Sequence, residues 1–206
     1  MMMGRIDEID GHFVATRFIA MLVPAECVYI SNVTRPSRPD AGAPPPTRNL
    51  VPIRFDWRSV GLAYARVWLP AIALGIPLVQ VVRGSFSFLT WLFSLVLIAV
   101  CVGAHKWGRL TEQEKARLRV LGTVTGLRID PAKLRDTTRN IKRDSLGDLM
   151  DKAGIPLASV EILAVLEDIP QPALPLVYGY ACYAGDDPEW RACAEAVYAR
   201  YEQGEF

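Results

Sequence analysis

The side chains that most often carry out chemistry are sparse in this sequence of 206 residues. It holds two histidines, His12 and His105, and four cysteines, at positions 27, 101, 182 and 193. Neither histidine has a second potential ligand at the spacing that zinc sites use, and the cysteines form no metal-binding pattern. The sequence therefore predicts neither a metal site nor a cofactor.

Catalytic motifs are not evident either. The chain has no phosphate-binding glycine loop, no dinucleotide-binding glycine pattern, no H-E-x-x-H pair and no G-x-S-x-G turn. Cys182 and Cys193 are expected to lie on adjacent helices as small buried hydrophobic residues. An enzyme that acts on lipid is the weakest functional alternative, because no nucleophile and base are paired.

A long apolar region occupies the middle of the chain, and any functional side chain within it must be positioned by the element that this region forms. The chain is 51% hydrophobic, and Arg83 is the only charged residue between positions 67 and 104. The stretch after Arg83 has about 21 residues, and as a helix it would measure about 31 Å, close to the thickness of a bilayer core. The stretch before it reaches about 20 residues if Leu62–Tyr64 are included and Arg66 extends to the headgroups. We predict a helical hairpin with two membrane spans over residues 62–104.

Two features inside this region bear on that prediction. Pro70 and Pro77 would argue against a helix in water, but membrane helices tolerate proline. The alternative is a helical hairpin buried in a soluble core, which a chain this small has little material to cover. Polar residues are expected to form hydrogen bonds between the two helices, and these are Gln80, Thr90 and Ser94.

The topology follows from a short turn and from charge. A turn near residues 82–85 makes the spans antiparallel and puts both termini on one side. Arginine and lysine are frequent on both flanks, whereas the turn carries only Arg83. By the positive-inside rule both termini are cytoplasmic, and the location is the cytoplasmic (inner) membrane. Free, reduced cysteines are expected there. The acidic first ten residues do not match a signal peptide.

The segment before the membrane reads as β-structure followed by a linker. Residues 11–33 are rich in β-branched and aromatic residues around a break at Pro24, which predicts a β-hairpin module over residues 1–33. Residues 34–49 contain five prolines and are predicted to be a linker. Residues 50–61 are predicted to hold a return strand beside the hairpin and the segment that enters the membrane.

Three short features of this half occur together. They are Arg17-Phe18 before an apolar run into Pro24, the triplet Cys27-Val28-Tyr29, and residues 51–70, which lead into the first span. With them, residues 11–109 resemble uncharacterised bacterial two-span membrane proteins with a β-rich N-terminal region. The resemblance implies a two-span architecture and no known activity. The zinc ribbon of some such proteins does not carry over, because this chain has no C-x-x-C pair.

The segment after the membrane, residues 105–206, is predicted to be an all-α domain. Thr111 and Glu114 form a capping-box pattern, and Asp130-Pro131 and Asp187-Pro188 are typical helix starts. The predicted helices cover residues 111–124, 131–153, 156–168, 174–184 and 188 onward.

Charge is unevenly distributed in this domain. Residues 105–143 hold 11 basic and 4 acidic residues, a net charge of +7, and residues 144–206 hold 3 basic and 12 acidic residues, a net charge of −9. The basic part suits an anionic lipid surface or an acidic partner, or else simply sets topology and keeps a helix solvated. Nucleic acid is not expected. The proposed contact residues share one predicted helix face: Arg128, Arg135, Arg139 and Lys142.

Taken as a whole, the sequence predicts a non-enzymatic membrane protein. Its fold class is a membrane α-helical hairpin with a small β-rich N-terminal module and an all-α C-terminal domain. The predicted function is that of an anchor or scaffold presenting cytoplasmic modules to a protein partner or lipid surface. The alternative is an oligomeric transport component built from the hairpins. Whether the acidic tail folds onto the basic part is left open by the sequence.

Overall fold

The computed structural model describes residues 2–19, 23–32, 48–84, 87–106 and 109–204. The chain divides into two compact units, Met1–Leu110 and Thr111–Phe206. The first unit holds a β-sheet and two long helices, and the described residues of the second form helices and 3₁₀ turns with connecting segments. The predicted combination of an antiparallel N-terminal sheet with a helical C-terminal region is therefore confirmed.

The sheet has four antiparallel strands in the order β1-β2-β3-β4. β2 (His12–Ile19) and β3 (Val23–Asn32) form the predicted hairpin, but the predicted break at Pro24 is wrong, because Pro24 lies in β3 and pairs with Phe18. β4 (Arg48–Pro52) returns beside β3. The return strand begins two residues before its predicted start. Residues 34–47 of the predicted linker lie outside the described residues, and its last two residues belong to β4.

β1 (Met2–Ile9) was not predicted as a strand. It pairs with β2, but the register shifts on both sides of Ile6, and Asp7 has a positive φ of 53°. Ile6 and Ile9 are both buried although they are three residues apart, a spacing that regular strand alternation does not produce. The irregularities therefore remove the alternating pattern by which this strand could have been recognised.

Helix α1 (Trp57–Val82) begins over one face of the sheet. The Asp56 carboxylate caps it, because its Oδ1 accepts hydrogen bonds from the backbone N–H groups of Arg58 at 2.8 Å and Ser59 at 3.3 Å. This cap starts the helix five residues before the predicted entry at residue 62. The first turns pack on the sheet, where Val60, Leu62 and Ala63 are buried.

A buried polar contact joins α1 to the sheet. The hydroxyls of Thr16 on β2 and Ser59 on α1 are 2.8 Å apart, and both residues are fully buried. Phe18 meets Tyr64 edge-on, with ring centroids 5.5 Å apart. These contacts fix the base of α1 against the sheet, since a buried hydroxyl that lost its partner would remain desolvated.

Helix α2 (Phe88–Lys106) pairs with α1. α1 ends at Val82, and Gly84 adopts a positive φ of 66° in the turn that follows. Glycine suits this left-handed conformation because it has no Cβ. Pro70 and Pro77 both lie inside α1.

The second unit opens with α3 (Glu112–Thr125) and shows the predicted capping box. Thr111 Oγ1 accepts from the Glu114 N–H at 3.2 Å, and the Glu114 carboxylate accepts from the Thr111 N–H at 2.8 Å. Gly126 ends the helix in the left-handed conformation. The remaining α-helices are α4 (Asp136–Lys152), α5 (Ser159–Ala164), α6 (Leu174–Ala184) and α7 (Pro188–Gln203).

Two helix predictions in this unit need correction. The element that begins after Asp130 is a single 3₁₀ turn, Pro131–Lys133, and α4 starts only at Asp136. The helix predicted over 156–168 is shortened to α5 and a 3₁₀ turn, Leu166–Asp168. In α5 it is Ile162 that is buried, while Val160 and Leu163 are exposed. Local signals predicted where α3 and α7 begin, but the cap at Asp130 precedes only a 3₁₀ turn, and tertiary packing sets how far a helix extends.

Helix α6 is central to this unit and contacts α3, α4 and α7. Its side chains Leu174, Val177 and Tyr183 are almost fully buried. Gly179 allows α3 to come close, because a Cβ at this position would lie 2.8 Å from Val124 Cγ2. The helical unit therefore has a conventional apolar core.

Candidate functional site

The hairpin of α1 and α2 has a polar interior. Gln80 on α1 donates a hydrogen bond from Nε2 to Thr90 Oγ1 on α2, at 2.8 Å. Ser94, one helical turn further along α2, is buried. On α1 the buried positions of this region include Ala73 and Pro77. The structure thus brings two of the three predicted interhelical polar residues into direct contact and encloses the third.

The outer surface of the same hairpin is apolar. Leu74 on α1 and Leu95 on α2 are each 66% exposed. The other exposed large hydrophobic residues of the two helices are Trp57, Trp68, Ile72, Ile76, Leu78, Val79, Val81, Val82, Phe88, Leu89, Trp91, Leu92, Phe93, Val96, Ile98, Val100 and Val102. A water-soluble protein rarely shows a contiguous apolar surface of this size. Polar groups inside and apolar groups outside reverse the arrangement found in the helical unit.

Several oxygen atoms in the hairpin interior have open hydrogen-bonding capacity. Gln80 Oε1 and Ser94 Oγ are buried and have no hydrogen-bond partner among the described residues. Pro77 has no N–H to donate to the carbonyl of Ala73, four residues earlier. Gln80 Oε1 and Ser94 Oγ can therefore each accept a further hydrogen bond.

The two helices of the hairpin differ in the length of their apolar stretches. Among the described helices, only α1, with 26 residues, is long and apolar enough to cross a membrane by length and composition. The apolar part of α2, Phe88–Gly103, is shorter. Most of the apolar stretch of α1 is exposed, unlike a helix in a soluble core. By length and composition, α1 is therefore the stronger candidate for a membrane span and α2 the weaker one.

The predicted basic contact residues do not share one helix face. α4 begins at Asp136, so Arg128 and Arg135 precede it, and only Arg139 and Lys142 lie within it. Lys142 Nζ donates to the carbonyl oxygen of Thr125 at 2.8 Å. Arg135 is exposed at the N-cap and makes no capping hydrogen bond with its side chain. The break at the 3₁₀ turn separates the residues that a continuous helix would have aligned.

Arg139 is held inside the helical unit. Its Nη1 and Nη2 donate to the two carboxylate oxygens of Asp186 at 2.8 and 3.1 Å, and its Nε donates to the Tyr183 carbonyl at 3.2 Å. Paired donors matched to a carboxylate give the strongest arginine contacts. Arg139 therefore ties α4 to the end of α6, and contact with lipid would compete with these bonds.

We expect Arg139→Ala to lower the free energy of unfolding of the helical unit by about 1.5 kcal/mol, because three hydrogen bonds involving a charged group are lost. Arg135→Ala is the matched control and should change it by less than about 0.5 kcal/mol. Urea denaturation of the intact chain in detergent, followed by circular dichroism, measures both. Equal stability of the two variants would contradict a structural role for Arg139.

The acidic region does fold onto the basic part within this unit. Arg117 on α3 pairs with both carboxylate oxygens of Glu195 on α7, with Nη2 to Oε2 at 2.6 Å, and its guanidinium lies 4.9 Å from the Tyr198 ring centroid. Within the acidic region itself, Arg200 donates to the carbonyl of Glu167 at 2.6 Å. Sequence reasoning missed Arg117, because nothing local links residues 78 positions apart. The charge asymmetry is thus partly neutralised inside the unit.

Two ionisable groups of α6 are shifted by burial. Burial raises the pKa of the Cys182 thiol from 9.0 to about 12, and burial likewise raises the pKa of the Tyr178 phenol. Both groups are neutral at physiological pH, and a neutral thiol is a poor nucleophile. The four cysteines are free. Cys182 is therefore better described as a packing residue than as a reactive one.

These shifts predict that the helical unit loses stability in alkali. Above about pH 9 the unfolded chain releases protons that folded Cys182 and Tyr178 retain, so stability falls by up to about 1.4 kcal/mol per pH unit for each group. Urea midpoints at pH 7.5, 9 and 10.5 measure the slope. Cys182→Ala should have a shallower slope between pH 9 and 10.5 than the unsubstituted chain, and an identical slope would contradict the assignment.

Of the two histidines, only His12 has a described side chain. Tyr29 OH and His12 Nδ1 are 3.0 Å apart in the sheet, with the rings stacked at a centroid distance of 6.0 Å. The side chain of His105 lies outside the described residues. Within the described ranges, no group of three or more His, Cys, Asp or Glu residues could hold a metal ion.

Comparison with protein families, curated proteins and solved structures finds no match to this chain. The similarity to two-span bacterial membrane proteins stays a prediction from the sequence. The geometry of the hairpin, the sheet and the helical unit is therefore what indicates the function of this chain.

Proposed function

We propose that this protein is an integral membrane protein whose α1–α2 hairpin crosses the cytoplasmic membrane twice. One observation carries the proposal: the hairpin pairs half-buried Gln80 with half-buried Thr90 and buries Ser94, while it exposes Leu74, Leu95 and their apolar neighbours. Hydrocarbon favours this arrangement, since polar groups gain by facing each other and apolar groups lose nothing by facing lipid. The helical unit, with its apolar core and exposed charges, has the opposite arrangement and suits water.

The role that follows is that of an anchor. A two-span hairpin puts the sheet module and the helical unit on the same side of the membrane, which the positive-inside rule makes the cytoplasmic side. The chain then acts as a scaffold that holds these modules at the membrane for a protein partner or for the lipid surface. Arg135 and Arg128 are the basic residues we would examine first for contact with anionic headgroups.

Labelling of single added cysteines tests the topology. Arg83→Cys places a thiol in the exposed turn between the helices, and Glu202→Cys places one on α7. In intact bacterial cells an impermeant maleimide should label the first variant, and it should label the second only after lysis. The chain with its natural cysteines gives the background. Labelling of both sites on the same side of the membrane would rule out two spans.

A second candidate function has a specific observation behind it. The buried oxygens Gln80 Oε1 and Ser94 Oγ have no partner among the described residues, which would suit a hydrated path if several hairpins assembled. The test is flux of protons and monovalent cations through vesicles that hold the purified chain. The double variant Gln80→Leu, Thr90→Val should abolish a flux that depends on this interior. Unchanged flux would remove the transport alternative.

A further inference from the structure

We propose that the hairpin is built for a bilayer with a thinner hydrocarbon core than the usual value of about 30 Å. The inference rests on the proposed membrane function and adds the class of lipid that the hairpin fits. Its basis is the length of the apolar surface, which arginines and tryptophans delimit independently, and the contacts that prevent this length from being extended.

Arginines bracket the apolar part of α1. Arg66 is half-buried beside the sheet, and Arg83 is exposed at the C-cap. The uncharged stretch between them, residues 67–82, spans about 24 Å as a helix. Arginine side chains can reach outward to headgroups, but the charge itself resists entry into hydrocarbon. The apolar length of α1 is thus about 6 Å below the typical core thickness.

Two exposed tryptophans lie beyond the turns of α1 that pack on the sheet, and they define a similarly short band; a third, Trp57, is the first residue of α1. Because Gln80 and Thr90 are hydrogen-bonded, they lie at the same height along the hairpin axis. The two helices run antiparallel, so Trp91, one residue after Thr90, lies near the height of Val79, one residue before Gln80. Trp68 is 11 residues before Val79, which places the two indoles about 17 Å apart along the hairpin axis. Both side chains are more than 40% exposed. Tryptophan prefers the interface between hydrocarbon and headgroups, so both markers indicate a thin core.

The sheet prevents the helix from moving deeper. The turns of α1 before Arg66 are committed to the sheet, through the Thr16–Ser59 contact and the Phe18–Tyr64 ring pair. At the other end, Gly84 in a left-handed conformation terminates the helix. Neither end of α1 can therefore add apolar residues to the part of the helix that would span a thicker bilayer. A short span in a thick bilayer must thin the lipid around it, at a cost that grows with each ångström of mismatch.

Reconstitution of the intact chain into phosphatidylcholine vesicles tests this inference. The vesicles differ only in their monounsaturated acyl chains, of 14, 16, 18, 20 or 22 carbons, and flotation followed by carbonate extraction measures the inserted fraction. We expect the maximum at 14–16 carbons and an inserted fraction about threefold lower at 22 carbons.

A pair of variants links the optimum to the hairpin. Arg83→Leu lengthens the apolar stretch and should move the maximum toward longer acyl chains. Arg135→Leu makes the same change in the helical unit and should leave the maximum in place.

The outcomes separate this inference from the proposed function. Insertion that is best at 20–22 carbons, or equal at all lengths, would overturn the thin-bilayer inference and leave the membrane proposal standing. Failure to insert into any vesicle would overturn the membrane proposal itself.

Discussion

Leu95→Arg is expected to abolish stable membrane insertion of the chain. Leu95 is 66% exposed on α2 and, by the Gln80–Thr90 register, lies level with Gly75, near the middle of the apolar band. An arginine at the centre of a spanning helix costs about 2.5–3.5 kcal/mol on insertion scales. On the surface of a soluble protein the same substitution would be close to neutral. The variant therefore distinguishes a surface in contact with lipid from one in contact with water more clearly than a substitution of a buried residue would.

Val160→Arg provides the matched control. Val160 is 69% exposed on α5 of the helical unit, so the two substitutions remove similar exposed apolar side chains. Membrane fractionation with carbonate extraction compares the variants with the unsubstituted chain, and Leu74→Arg repeats the test on α1. We expect only the hairpin variants to leave the membrane pellet. A Leu95→Arg chain that stayed there as fully as the Val160→Arg chain would contradict lipid contact at this surface.

Met150→Ala is expected to have the largest effect on the helical unit. The Met150 side chain on α4 is completely buried, and its truncation should lower the free energy of unfolding by about 2–5 kcal/mol through lost burial and the cavity left behind. This is a large share of the stability of a typical small domain. Urea denaturation of the intact chain in detergent, followed by circular dichroism, measures the shift.

The neighbouring residue supplies the control. Leu149 is 45% exposed on the same helix, and Leu149→Ala should cost less than about 1 kcal/mol. The hairpin should stay in the membrane in both variants, since neither substitution touches α1 or α2. Comparable losses in the two variants would mean that α4 packs through a different face from the one described.

Much of the fold follows from patterns that lie within a few residues. The capping box at Thr111, the start of α7 after Asp187 and a β2–β3 hairpin were predictable, although Pro24 lies inside β3 and not at the predicted break. Each depends on bonds or steric preferences within one turn of chain. The extent of α4 and α5 could not be predicted in this way, because the length of a helix depends on what it packs against.

The candidate site was partly visible for the same reason. A glutamine, a threonine and a serine in an apolar stretch pointed to contacts between helices, and the structure places Gln80 against Thr90. The proposed basic face was read from spacing along a continuous helix, and the 3₁₀ turn Pro131–Lys133 interrupts that spacing. The partner of Arg139, Asp186, is 47 residues away and has no local signal.

The sequence by itself determined the composition of the apolar region, its single charge at Arg83, and the starts of α3, α6 and α7. These properties are local, since a side chain's polarity and its capping bonds do not depend on the distant chain. Only the tertiary structure decided the level at which α1 meets α2, the irregular strand β1, and the pairing of Arg117 with Glu195. Such contacts join residues far apart in sequence, and their geometry is set by how whole elements pack together.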